Sequence, residues 1–253
     1  MTSKLKPQPL LAIETATSVC SCAVIIEPQI VFERSVTTNR KHGELLPDLV
    51  QSVCREAGIK LDSIGYIAVS IGPGSFTGLR VGLSLAKGIA AYSGAFLRPV
   101  GTLEGLAYRM AEALESSAEF TACPMTIARR GEAFGKLFKI SGLNIKPQGE
   151  IFLLCNLESV NEDFAQVYIG GEGAEILLES KRVSESASER VGESARGRAG
   201  ETGFKYLPGI RAGASAIGQI GWLARASGAA HYRSDYPLTP NYAAEFTIRA
   251  KAG

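Results

Sequence analysis

The residues most able to do chemistry lie in the run S-I-G-P-G-S-F-T-G-L-R-V-G, which starts at Ser70. Gly72, Gly74 and Gly78 put supple backbone before a helical pattern, and N–H groups at a helix start can hold an anion. A P-loop would follow its glycines with Lys-Ser or Lys-Thr, and no such pair follows here. Arg80, Ser84 and Lys87 share a polar face that could meet either phosphate or solvent. Ser75 is no nucleophile elbow, because Pro73 and Thr77 stand where G-x-S-x-G requires glycines. The two histidines, His42 and His231, are far apart and define no triad. Cys20 and Cys22 would share a strand face, but zinc needs two further ligands and no second cysteine pair exists. They read as small core residues.

The same glycine run has a mechanical property. Gly78, Gly82, Ala86 and Ala90 recur every four residues, which strips one helix flank of bulk. Each interior glycine costs about 1 kcal/mol relative to alanine, so Gly78, Gly82 and Gly88 imply a compensating gain. Close approach of another helix would supply it. The spacing alone leaves open whether that helix belongs to this chain or to another.

Elements must position these residues. Leu10–Ile13, ending at Glu14, and V-C-S-C-A-V-I-I read as strands joined by a polar turn, and residues 29–36 as a third. Residues 42–57 show helical spacing with an apolar face that includes Leu45, Leu46, Leu49, Val50 and Val53. Pro47 is tolerable there in a first turn, and Gly58 is a natural stop. Ile64–Ile71 reads as a buried strand leading into the glycine run. A second half begins near Cys123 with a hairpin whose turn holds R-R-G-E, followed by strands at 151–155 and 167–169. Residues 181–203 carry Ser, Glu, Arg, Gly and Ala without an aromatic, and are expected to form a mobile insertion or a loosely held helix. The helix near 212–232 is expected to pack back on the first half. The expected division is 1–110 as a first lobe completed by that helix, 111–211 as a second lobe, and 233–253 as an extended tail.

Composition excludes some classes. The chain has 253 residues, 45% hydrophobic and 21% charged, with a net charge of +2. That near-neutral total argues against binding nucleic acid by charge alone. No apolar run reaches the ~20 residues of a membrane span. A polar N-terminus is not a secretory signal, and five scattered cysteines suit a reducing, cytoplasmic location.

Three stretches together carry a family resemblance: I-E-T-A-T near the N-terminus, H-G-E-L-L-P at 42–47 and G-P-G-S-F-T-G-L-R-V-G at 72–82. They resemble the bacterial TsaB (YeaZ) family, strongly over roughly residues 8–110. The resemblance implies an α/β fold of the actin-like, sugar-kinase-like (ASKHA) kind, with two related lobes. It implies a non-catalytic scaffold or activator that helps make threonylcarbamoyladenosine beside the tRNA anticodon. Its implied partners are the TsaD transferase as a heterodimer and the TsaE ATPase, with a homodimer when alone and tRNA met only indirectly.

The TsaD family holds its metal with an H-x-x-x-H helix, and Thr102 and Leu106 stand at those positions here. Leucine cannot ligate a metal, and threonine is a poor ligand. Glu14, Thr15 and Arg80 are the candidate nucleotide or phosphate contacts, with ATP or ADP expected only at an interface with a partner. G-G-E-G at 170–173 is the one candidate for a second phosphate loop. Where the family carries an acidic residue before the second-lobe Gly-Glu, this chain has Ile127. The interface is expected along Gly78, Gly82, Ala86 and Ala90, flanked by Leu45, Leu46 and Leu49. On that expectation a bulky residue at Gly82 blocks the partner and spares the fold. The alternative reading is an enzyme of the same fold, a kinase-like ATPase or a metallopeptidase-like relative.

Overall fold

The computed structural model describes residues 8–27, 30–38, 41–129, 131–157, 167–189, 204–227, 232–233, 237–241 and 247–249. The chain divides into two compact units, Met1–Gly105 with Ala212–Tyr242, and Leu106–Arg211 with Ala243–Gly253.

The first unit holds β1 (Leu10–Glu14), β2 (Val19–Glu27), β3 (Ile30–Thr37), α1 (His42–Glu56), β4 (Tyr66–Ser70), α2 (Phe76–Ser93), β5 (Phe96–Val100) and α5 (Ala214–Ala226). Its sheet runs β3-β2-β1-β4-β5. The three leading strands form an antiparallel meander, and β4 and β5 add in parallel. β1 is buried along its whole length. Leu11 and Ile13 pack with Leu46 and Val50 of α1 and with Leu83 and Ala86 of α2. Leu10 and Ala12 point the other way and pack with Ile217 of α5. A strand covered on both faces must be apolar throughout, which explains the unbroken run Leu10–Ile13.

The second unit repeats this order. It contains β6 (Phe120–Arg129), β7 (Glu132–Ser141), β8 (Asn144–Leu154), β9 (Val167–Gly170), α4 (Glu172–Glu189), β10 (Phe204–Leu207) and β11 (Thr247–Arg249). The sheet order is β10-β9-β6-β7-β8-β11. Once more a three-strand meander is extended by two parallel strands on its first member. Leu177 of α4 packs on Cys123, Met125, Leu137 and Ile169. The unit boundary falls inside α3 (Thr102–Leu114), between Gly105 and Leu106. Both sheets are mixed and both carry helices, as expected of two related α/β lobes.

Some local expectations change. Pro47 is the sixth residue of α1, so it lies past the first turn. Its missing N–H leaves the carbonyl of Gly43 without the usual helical bond. Residues 181–189 take the helical alternative of their expectation: they continue α4 to Glu189, and residues 190–203 lie outside the described residues. The strand expected at 151–155 is the end of the longer β8. Arg129 and Glu132 are register partners at the β6–β7 turn, with Gly131 at φ 79°.

Cys20, Cys22, Cys54 and Cys123 are buried, whereas Cys155 is exposed. Burial, and then the nearby Glu14 carboxylate, pushes the Cys20 thiol up to about 11. Burial also raises Cys22 and Cys54. A raised thiol favours the neutral form in the fold. The stabilisation is whole below the ordinary thiol range and is lost as pH rises towards the folded value. Urea unfolding should therefore show a constant midpoint up to about pH 8.5 and a falling one towards pH 11, with a smaller fall in Cys20→Ala. In the native chain at neutral pH a thiol reagent should label Cys155 and leave the four buried cysteines to react only after unfolding.

Candidate functional site

The glycine run closes onto the turn that follows β1. Ser75 caps α2 by accepting the Gly78 N–H at 3.2 Å, and its own N–H donates to the Ala16 carbonyl at 2.7 Å. The Thr15 hydroxyl donates to the Gly78 carbonyl at 2.8 Å, and the Thr15 N–H donates to the Ser70 hydroxyl at 3.4 Å. Glu14, fully buried at the end of β1, accepts the Ala16 N–H at 2.5 Å. His42, at the start of α1, meets the Thr17 carbonyl through Nε2 at 3.0 Å. A carbonyl only accepts, so Nε2 is the protonated ring nitrogen. Residues 14–17 are thereby fastened to β4, α2 and α1.

This geometry corrects the expected interface. A side chain on Gly78 would strike the Thr15 carbonyl, and one on Gly82 would strike the Thr15 hydroxyl. Ala86 and Ala90 lie in the core with Val69 and Leu97. The stripe Gly78, Gly82, Ala86 and Ala90 therefore faces this chain's own sheet and cannot receive a partner. Leu46 is likewise wholly buried, while Leu45 and Leu49 are half-buried. The sequence supplied the spacing but could not say that the neighbour was a strand end and its turn.

The row displaced outward is a different one. Phe76, Arg80, Ser84, Gly88 and Tyr92 also step by four residues, and all five are exposed. Phe76 is 51% and Tyr92 71% exposed. Arg80 lies over the Phe76 ring, 4.0 Å from its centre. A Cβ on Gly88 would meet nothing within 4 Å. Beside this row, between α2 and α1, lies a mainly apolar groove of about 390 Å³ lined by Gly43, Leu46, Pro47, Arg80, Val81, Ser84 and Leu85. Sequence reading missed it because two rows of one helix share the same four-residue step.

The candidate phosphate contacts do not converge. Glu14 and Thr15 are buried on the inner side of α2, whereas Arg80 stands on its outer row. In the second unit, Gly171, at φ 98°, lies against the Met125 carbonyl, and Gly173 against the Thr126 carbonyl. The first turn of α4 carries Glu172 and Glu175. Glu175 accepts from both terminal nitrogens of Arg211, at 2.8 and 2.9 Å, and from the Tyr206 hydroxyl at 3.0 Å. Burial, followed by the Glu175 hydrogen bond, raises the Tyr206 phenol. A helix start already holding carboxylates repels phosphate. Thr102 and Leu106 are both buried, one turn apart on α3. Among the described residues no group of three or more His, Cys, Asp or Glu could hold a metal ion.

Comparison with known proteins bears on the class and then on the kind. A family described as "TsaD: tRNA N6-adenosine threonylcarbamoyltransferase" matches residues 34–153. The chain is 36% identical to TsaB of Escherichia coli (strain K12) over 81 residues, 32% of this chain and 35% of that protein. It is 28% identical to TsaB of Bacillus subtilis (strain 168) over 158 residues, 60% of this chain and 66% of that one. The chain spans 35%, 41% and 22% of the lengths of the first three curated relatives it matches. A Pseudomonas aeruginosa structure described as similar to peptidase YeaZ superposes with a TM-score of 0.71 at 21% identity, covering 92% of this chain and 98% of that one. "YeaZ from Pseudomonas aeruginosa" gives 0.68 at 20%, covering the same 92% and 98%. The class is a two-unit α/β fold, each unit a mixed sheet with packed helices, as in the YeaZ structures. Within it the chain is TsaB/YeaZ-like, in sequence over part of its length and in fold over nearly all of it.

The packing predicts opposite signs for two glycines of one helix. Gly82→Leu should lower stability by several kcal/mol, of the order of other overpacked core sites. Gly88→Ala should raise it by about 0.5–1 kcal/mol through helix propensity alone. Thermal and urea unfolding of both variants would check this, and equal effects would show that α2 is not seated as described.

Proposed function

We propose that this chain is a non-catalytic subunit of the machinery that makes threonylcarbamoyladenosine in tRNA, and that it acts by docking a TsaD-type transferase. The curated relatives named TsaB and the TsaD family match support the pathway. The observation that carries the docking role is the groove between α1 and α2 with its exposed outer row. Val81 and Leu85 line it half-buried, and Phe76 and Tyr92 stand exposed at the two ends of the row. Aromatic residues and arginine around an apolar centre are the usual composition of a protein interface. Ser84 and Gly88 between them admit a partner backbone closely. Among the described residues nothing packs at Gly88, and a docked partner would offset its cost to the helix.

A transferase of this family resembles the chain itself: the Chelativorans protein of that name is 44% identical over 78 residues. A face that pairs with its own copy can pair with such a paralogue in the same two-fold manner. Two copies would therefore associate through the groove when the transferase is absent, and a TsaE-type ATPase would join the heterodimer. The residue types at Thr102 and Leu106 support the non-catalytic assignment, because neither can replace a metal-binding histidine. The chain alone would hold no cofactor tightly, since the Ser75 and Gly78 N–H groups are already bonded within the protein. An adenine nucleotide would bind at the partner interface. The work is placed in the cytoplasm, where tRNA is modified. Among the described residues no helix is long and apolar enough to cross a membrane.

The test is association with the purified transferase, read as mass in solution. Leu85→Glu puts a charge into the groove, and Ser84→Trp fills it from an exposed position that leaves the core untouched. Both should weaken the heterodimer on the order of 100-fold, as loss of a central contact does, with unchanged thermal unfolding of the chain alone. Association at wild-type strength in both variants would refute the docking site.

A further inference from the structure

On the α5 side of the first sheet, five side chains form one continuous series. Trp222 and Arg225 lie on α5, Tyr66 and Phe96 begin the parallel strands β4 and β5, and Arg233 follows shortly after α5. The Arg225 guanidinium sits 5.1 Å from the Trp222 ring centre and 4.4 Å from that of Tyr66. Tyr66 and Phe96 are register partners with ring centres 5.8 Å apart and planes 30° apart. Arg233 caps the series, 5.2 Å from the Phe96 ring. Cation–π contacts occur about once per 70–80 residues in proteins, and three of them converge here.

The series is open to solvent. Arg233 is exposed, while Trp222, Arg225, Tyr66 and Phe96 are half-buried. Arg225 donates to the backbone carbonyl of Gln8 at 3.1 Å. Among the described residues neither Arg225 nor Arg233 pairs with a carboxylate, unlike Arg34, Arg109 and Arg211. Two arginines interleaved with flat rings suit a polyanion whose units are themselves flat. Guanidinium and aromatic planes stack on bases without regard to sequence, and the charges take the phosphates. The net charge of +2 conceals such a local cluster.

We propose that Trp222, Arg225, Tyr66, Phe96 and Arg233 form a contact surface for a single-stranded RNA segment. The choice of RNA among polyanions rests on the proposed role in tRNA modification. The chain thus meets RNA directly as well as through a partner.

The experiment is fluorescence anisotropy of a short labelled single-stranded RNA titrated with the full chain, at several salt concentrations. Binding should weaken as salt rises, and Arg233→Ala should reduce the salt slope by about one unit. Arg225→Lys retains charge but loses the planar stack, and should weaken binding about tenfold with the slope preserved. Double-stranded RNA of equal length should compete poorly. Absence of binding by the wild-type chain, wild-type affinity in both variants, or equal competition by duplex would overturn the proposal. So would tighter binding of a labelled acidic peptide at the same residues, which would make the ligand a protein. Because Arg225 packs on two rings, its variant needs a matching thermal transition; the exposed Arg233 variant keeps the test valid if it does not. Association with the transferase should be unchanged in both. Its loss through the groove variants, with RNA binding intact, would separate the two readings.

Discussion

The first unit depends on the approach of one backbone to another: the turn after β1 against the opening turns of α2. Three polar links hold it, from Thr15 to the Gly78 carbonyl, from Ser75 to the Ala16 carbonyl and from Thr15 to Ser70. The two Thr15 links are buried, and an unmet polar group there would cost about 1–3 kcal/mol. No residue with a Cβ can stand at Gly78 or Gly82 without breaking this arrangement. The glycines are therefore conditions of the fold. They bring α2 down onto β1 and β4, which seats Ala86 and Ala90 in the core and turns the Phe76–Tyr92 row outward.

This explains what could be read in the sequence and what could not. Strands and helices were legible wherever burial imposed a period. The run Leu10–Ile13 announced a strand, though not its cover on both faces, and the α1 pattern announced a helix with one buried face. The small-residue flank was legible as a close approach but not as to its neighbour. Gly78 and Gly82 carry the same spacing whether they meet another subunit or Thr15, and only the three-dimensional path of the β1–β2 turn decides. Residues 181–189 illustrate a different limit. Their composition left a mobile insertion and a loosely held helix both open, and they prolong a helix whose earlier turns, at Ala174 and Leu177, are anchored in the core.

The proposed docking surface lies one row away from the expected one and differs from it in physical character. The inner row would have offered contact by shape alone, without any group to define register. The outer row presents aromatic residues at both ends, a cation beside one of them, small residues in the middle and an apolar groove alongside. Such a face can be desolvated at its centre and oriented at its rim, which is what selective association requires. Gly88 shows the difference most clearly. It is the glycine of α2 whose missing side chain the rest of the chain does not use.

Under the two proposals the two sides of the first sheet have distinct roles. Leu11 and Ile13 direct one side of β1 towards α1 and α2, and Leu10 and Ala12 direct the other towards α5. A protein docked in the α1–α2 groove covers the first side and leaves the Trp222–Arg233 series uncovered. Each surface is built from residues the other does not use. A near-neutral chain can therefore take a partner by apolar contact on one side and a polyanion by local charge and stacking on the other. The alternation of side chains along a single five-residue strand keeps the two apart.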